Sequence, residues 1–190
     1  MMQDAEIILT KNRVLRKIQL VLESVQEAQT AWAGQHGSGE IFSTPPKISR
    51  GENYLGLPWL TLDYPRVSGG GDLFFIRSMF WWGRSFSSTL HVAGKFREEV
   101  RRSLLAAYPS LGQYAVSVNT DPWVHHFETS NYLPIRTISE SSFENYSGNN
   151  DFLKIARCWG LEEWPEAPVK LMESWEFLLK VSGSIPQSVK

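Results

Sequence analysis

Arg77 and His91 lie in two neighbouring apolar runs, Leu73 to Trp82 and Phe86 to Gly94, and are the residues best placed to do chemistry. Gly83-Arg84-Ser85 separates the runs, so the pair reads as a β-hairpin. Side chains alternate along a strand. Leu73, Phe75, Arg77, Met79 and Trp81 therefore share one face, and Phe74, Ile76, Ser78, Phe80 and Trp82 share the other. Both faces are largely apolar, which marks a strand covered on both sides. An arginine in such a place is costly unless paired. Its planar fork could hold the carboxylate or phosphate of a ligand, or it could pair with a structural acid such as Asp63. His91 could donate, accept or shuttle a proton, or be a satisfied sheet residue.

Register decides which of these groups meet. A three-residue loop, Gly83 to Ser85, sets Arg77 opposite His91; a two-residue loop, Gly83-Arg84, sets it opposite Leu90. Two-residue loops are commoner, but the longer one separates polar from apolar faces better and is the expected register. One face then carries Trp81, Met79, Arg77, His91, Thr89 and Ser87. Aromatic walls with a few convergent polar groups are the makings of a small-molecule pocket. Asp63 and Arg66 flank Tyr64-Pro65 nearby. Asp63 could be a general base or could order the turn before Pro65. The expected ligand-binding set is Arg77, His91, Trp81, Met79, Asp63 and Arg66, with no residue assigned as catalytic.

Other chemistry-bearing groups give weaker signals. His126 and Glu128 would share a face on a strand, with His125 opposite, but two ligands do not make a zinc site. No metal is expected. Cys158 is the single cysteine; no intrachain disulfide can form, which fits a reducing compartment. Lys95, Arg97, Arg101 and Arg102 form the best basic cluster, but Glu98 and Glu99 lie among them and neutralise much of it. Gly37-Ser38-Gly39 is no phosphate loop. Nucleophile-elbow, Cys-x-x-Cys and His-Glu-x-x-His signatures are absent, and no cofactor is expected.

These residues need elements to position them. Val14, Leu15, Ile18, Val21, Leu22 and Val25, continued by Ala28 and Trp32, predict a long amphipathic helix over about 4–33, stopped at Gly34. Residues 34–52, with four glycines and Pro45-Pro46, read as a loop able to cover a site. Strands are predicted at Trp59–Tyr64, in the two hairpin arms, at Trp123–Glu128 and at Tyr132–Ile138. Phe96–Tyr108 has helical spacing. Ser139–Asn150 is polar and turn-rich, and Phe152–Trp159 could be strand or short helix. A C-terminal helical segment spans about 161–182, and the tail after Gly183 is expected to fray. Strands that follow one another closely favour antiparallel pairing. The expected fold is a single α+β domain over 1–190, with an antiparallel sheet of four to six strands and helices mainly on one face.

Composition excludes several function classes. The 190 residues carry 19 Lys plus Arg against 20 Asp plus Glu, so nucleic acid has no global electrostatic platform. The N-terminus lacks a signal-peptide pattern, and no run reaches the roughly 20 apolar residues needed to span a bilayer. No nucleic-acid or membrane partner is expected, and the expected location is cytoplasmic. Eight Trp, ten Phe and six Tyr are the unusual feature; most suit a sheet-rich core, and some could line a site.

Four stretches carry a resemblance: Asn53-Tyr54-Leu55-Gly56-Leu57-Pro58, Leu62-Asp63-Tyr64-Pro65-Arg66, Ile76-Arg77-Ser78-Met79-Phe80-Trp81-Trp82-Gly83 and Thr89-Leu90-His91-Val92-Ala93-Gly94. Residues 53–94 resemble an uncharacterised family of bacterial cytoplasmic proteins, with Phe80-Trp81-Trp82-Gly83 as the most specific part. The resemblance implies a bacterial, soluble, stand-alone domain and carries no activity. The functional expectation is a binding module for a small anionic or aromatic ligand on the hairpin face. One alternative is a protein-interaction or regulatory domain, homodimeric through exposed aromatics such as Trp59, Trp123 or Trp164. Another is an acid–base enzyme using His91 with Asp63 or Glu128.

Overall fold

The computed structural model describes residues 5–185, so Met1–Asp4 and most of the tail expected to fray lie outside it. Helix α1 (Ala5–His36) leads to strands β1 (Lys47–Tyr54), β2 (Leu57–Gly69), β3 (Asp72–Trp81) and β4 (Ser85–Ala93). Helix α2 (Arg97–Ala106), the short strands β5 (Ala115–Ser117) and β6 (Tyr132–Pro134), helix α3 (Glu140–Gly148), strand β7 (Phe152–Gly160) and helix α4 (Ala167–Val181) follow. The strands form one seven-stranded sheet in the order β1-β2-β3-β4-β7-β5-β6. Every pairing is antiparallel. The fold is α+β as the sequence implies, with one strand more than the upper expectation.

The apolar stripe of α1 buries Ile18, Leu22, Val25, Gln29 and Ala33. It packs against Leu60, Leu62, Phe80 and Phe86 of the sheet. The helix runs past Gly34 because Gly37 N–H still donates to Ala33 O at 2.8 Å and His36 packs on Trp32 at 4.6 Å. α4 supplies the centre of the core. Trp175 is fully buried, its Nε1–H donates to Tyr64 O at 2.5 Å, and Trp32 meets its ring edge-on at 5.3 Å. Phe74, Ile76, Leu90, Val92 and Ile155 complete this side of the sheet.

Several expectations change. Residues 34–52 are not all loop, because 47–54 form the edge strand β1. Polar residues and Gly51 hide its alternation, and Gly51 is there because the Trp59 indole lies 2.5 Å from where a Cβ would stand. The rest of that segment packs on the helical side through Ile41 and Phe42, so it does not cover the Arg77 face. Trp123–Glu128 is not a strand. Ser139–Asn150 contains α3, capped by the Ser139 hydroxyl accepting from Ser142 N–H at 3.2 Å. Phe152–Trp159 is strand.

The hairpin register also differs. Arg77 stands opposite Thr89, and His91 opposite Phe75. The connecting residues are 82–84, because Trp82 N–H is taken by Pro58 O at 2.9 Å and leaves the ladder early. The shift is two residues, so every side chain keeps its expected face.

Trp175→Phe is expected to strand the Tyr64 carbonyl and to lower stability by about 1–3 kcal/mol, the cost of an unsatisfied buried acceptor. Urea denaturation checks this; an unchanged midpoint would remove the indole bond from the account of the core.

Candidate functional site

The sheet face away from the helices carries Asp63, Arg77, Thr89, Phe75, His91 and Lys154, brought together by register. The chain between β5 and β6, residues 118–131, lies across it as a strap. Asn131 shapes the strap: it is fully buried, and its Nδ2 donates to Val124 O at 3.2 Å and His126 O at 2.6 Å. Asp121 and Trp123 are set by short turns, with Asp121 N–H donating to Asn119 Oδ1 and Trp123 N–H to Asp121 Oδ1, both at 2.8 Å. Lys154 is 1% exposed, and its Nζ donates to Pro122 O at 2.9 Å and Val124 O at 2.7 Å. Those two carbonyls flank Trp123, so the lysine clamps the strap on either side of that ring.

Arg77 is spoken for. Its Nε donates to Asp63 Oδ1 at 2.7 Å and its Nη2 to Asp63 Oδ2 at 2.9 Å. Its Nη1 lies 3.1 Å from His125 Nε2. A guanidinium only donates, so His125 Nε2 accepts and its proton sits on Nδ1. The backbone N–H of His125 donates to the Tyr54 hydroxyl at 2.6 Å. The arginine thus joins β2, β3 and the strap, which is the structural alternative the sequence allowed.

An open cleft of about 640 Å³ lies at the other end of this face, where the β2–β3 turn, the start of α2, β7 and the strap converge. Its lining includes Asp72, His91, Arg97, Trp123, Asp151 and Phe152. Trp123 is 52% exposed, stacks on Phe75 at 6.2 Å and meets His91 edge-on at 5.6 Å. Phe152 meets His91 edge-on at 5.5 Å. His91 is 2% exposed, yet its Nδ1 has no hydrogen-bond partner among the described residues. Arg97 donates from Nη2 to Gly148 O at 2.7 Å, and its buried Nε has no partner among the described residues.

Of the expected site residues only His91 lines this cleft. Arg77 and Asp63 hold each other. Arg66 turns to Pro45 O at 2.8 Å. Met79 and Trp81 are buried toward the hairpin turn, where Trp81 Nε1–H donates to Tyr54 O at 3.1 Å. Among the described residues no hydrogen bond links His91 to Asp63 or Glu128, and no group of three or more His, Cys, Asp or Glu is placed to hold a metal ion. No described helix is long and apolar enough to cross a membrane. Lys154, Phe152 and Arg97 were missed as site residues. The signal was present for Lys154: once Phe152–Gly160 is a strand, Lys154 shares a face with Phe152 and opposes His91.

Burial, Lys154 and Arg77 together push His91 down to about 3. Burial, then the same two cations, push His125 to about 2. Burial and Arg77 lower Lys154 to about 7, with Asp121 opposing. At neutral pH both imidazoles are uncharged, and His91 offers one donor and one acceptor. A neutral Lys154 amine would still hold two hydrogens for its two carbonyls.

No family model, curated protein or solved structure matches this chain.

Two outcomes are expected from this geometry. Arg77→Met leaves Asp63 without its partner and costs roughly 3 kcal/mol, the low end for breaking a buried pair because both side chains keep a little solvent. The double variant Arg77→Met with Asp63→Leu loses less than the single one. A double-mutant cycle by chemical denaturation reads this, and additive losses would mean the pair is not coupled. The second outcome concerns acid. Below the unfolded pKa of about 6.5 the unfolded chain takes up protons that folded His91 and His125 refuse. Stability therefore falls as pH drops from 6.5 toward 3, by about 1.4 kcal/mol per pH unit for each histidine fully in that window. His91→Gln should remove one proton from that slope, measurable from denaturation midpoints across the range.

Proposed function

We propose that the chain is a binding module for a small aromatic ligand bearing one anionic or hydrogen-bonding group, held in the cleft beside Trp123. The observation that carries this reading is His91, a residue lining the aromatic cleft whose buried Nδ1 has no hydrogen-bond partner among the described residues. Buried polar atoms are nearly always satisfied, and a ligand group or an ordered water would complete this one. Trp123 and Phe152 supply ring faces and edges for a planar ligand. Arg97 takes the anion-holding part first considered for Arg77, since it lines the cleft with no ion-pair partner among the described residues and its fork suits a carboxylate. Asp72 and Asp151 on the rim limit the negative charge the cleft welcomes, which favours a monoanion or a neutral heterocycle over a polyphosphate.

A thermal-shift screen of aromatic carboxylic acids and nitrogen heterocycles tests this, run on the wild type, His91→Phe and Trp123→Ala. A ligand at 100 times its Kd stabilises the folded state by about 2.7 kcal/mol. At least one compound class should raise the wild-type Tm, with the shift reduced in both variants. Shifts of equal size in all three proteins, or none in the wild type, would remove the cleft as the binding site.

A further inference from the structure

The sheet has two unequal edges. β6 closes one with three residues ending in Pro134, which lacks the N–H a further strand would need. β1 closes the other with eight residues, Lys47–Tyr54, paired among the described residues only to β2. Among the described residues no strand lies beside its outward backbone groups. A recess of about 480 Å³ runs between this strand and α1, lined by Asn12, Arg16, Gln19, Arg50, Glu52 and Leu60 among others.

Charge in the recess is one-sided. Lys11 Nζ lies 2.7 Å from Glu52 and neutralises its single carboxylate. The side chains of Arg16 and Arg50 make no ion pair or hydrogen bond with any described residue. Lys47, opposite Asp63 on the other face of the sheet, adds a further cation to the strand but not to the recess. Two copies pairing edge to edge would bring these cations together, so the charge that discourages self-association leaves the edge open to a segment of opposite sign.

We propose that the β1 edge docks an extended acidic segment of a partner protein, which adds as an eighth strand and seats carboxylates on Arg50 and Arg16. Strand addition gives main-chain hydrogen bonds, and alternate side chains give specificity. Cross-strand neighbours share a face. The partner residue opposite Arg50 therefore points toward the recess and is acidic. The residue two positions away, opposite half-buried Ile48, is apolar; Ile48 already packs against the α1-side cluster. This edge is remote from the aromatic cleft in sequence and lining, and the inference stands without the ligand reading.

The test uses the full chain and a blocked octapeptide in which Glu and Val alternate with Thr, together with its Glu-to-Lys counterpart. Binding is read by calorimetry and by backbone amide exchange. The acidic peptide is expected to bind, to slow exchange within 47–54, and to weaken with added salt. Arg50→Glu should lower its affinity by about fivefold or more, the upper worth of one exposed ion pair, and Arg16→Glu should act alike while both variants keep the wild-type melting temperature within a few degrees. Equal binding of the lysine peptide, protection outside 47–54, or no binding of the acidic peptide would overturn the proposal. So would edge protection that appears with protein concentration alone alongside a dimer in sedimentation, which would make the occupant a second copy.

Discussion

A guanidinium placed under a sheet must bring its partners with it. Arg77 does so in both directions. Across the ladder it takes both oxygens of Asp63, and above the sheet it reaches the unprotonated nitrogen of His125. The cost of burying the charge is offset only while that geometry holds. The strap from 118 to 131 has no regular structure to hold it flat, so its position depends on such side-chain bonds. Lys154 repeats the device two strands further on, and Asn131 repeats it from within the strap.

The two faces of the sheet are therefore held by different physics. Under the helices, α1 and α4 bury broad apolar surface whose attraction is non-directional and tolerant of small shifts. Under the strap, cohesion comes from a few directed bonds between charged side chains and backbone carbonyls. The ordering of Trp123 follows from this. The ring is half in solvent, yet its neighbours at 122 and 124 are both pinned by one amine. A cleft wall fixed in this way is preformed, which lowers the ordering cost of any molecule that lies against it.

The parts legible in the sequence were those with a clean period. The stripe of α1, both hairpin arms and the division of their side chains between two faces follow from spacing alone. The pairing of Arg77 with Asp63 was one of two stated possibilities. The rest was hidden for particular reasons. Trp82 looked like a strand residue, and only the distant Pro58 carbonyl draws it into the turn. β1 is polar because it is an edge. His125 and Phe127 mimic strand alternation in a segment whose backbone carbonyls instead satisfy Lys154 and Asn131. The α3 stretch is rich in Ser and Asn, and only the Ser139 cap marks its start. Lys154 was passed over because its segment was undecided between strand and helix, and its direction depends on that choice.

The bond from Trp175 to the Tyr64 carbonyl joins residues 111 positions apart. During synthesis β3 and β4, which carry Phe74, Ile76, Leu90 and Val92 on one face, emerge well before α4. The helix that seats the indole among them is made much later. Loop closure over such a distance slows folding, and uncovered apolar strands are sticky in the meantime. There is thus an interval of synthesis in which β1–β4 have been made while β7 and the helix that carries the indole have not. That interval, more than the finished molecule, is where a cell would have reason to supply a chaperone.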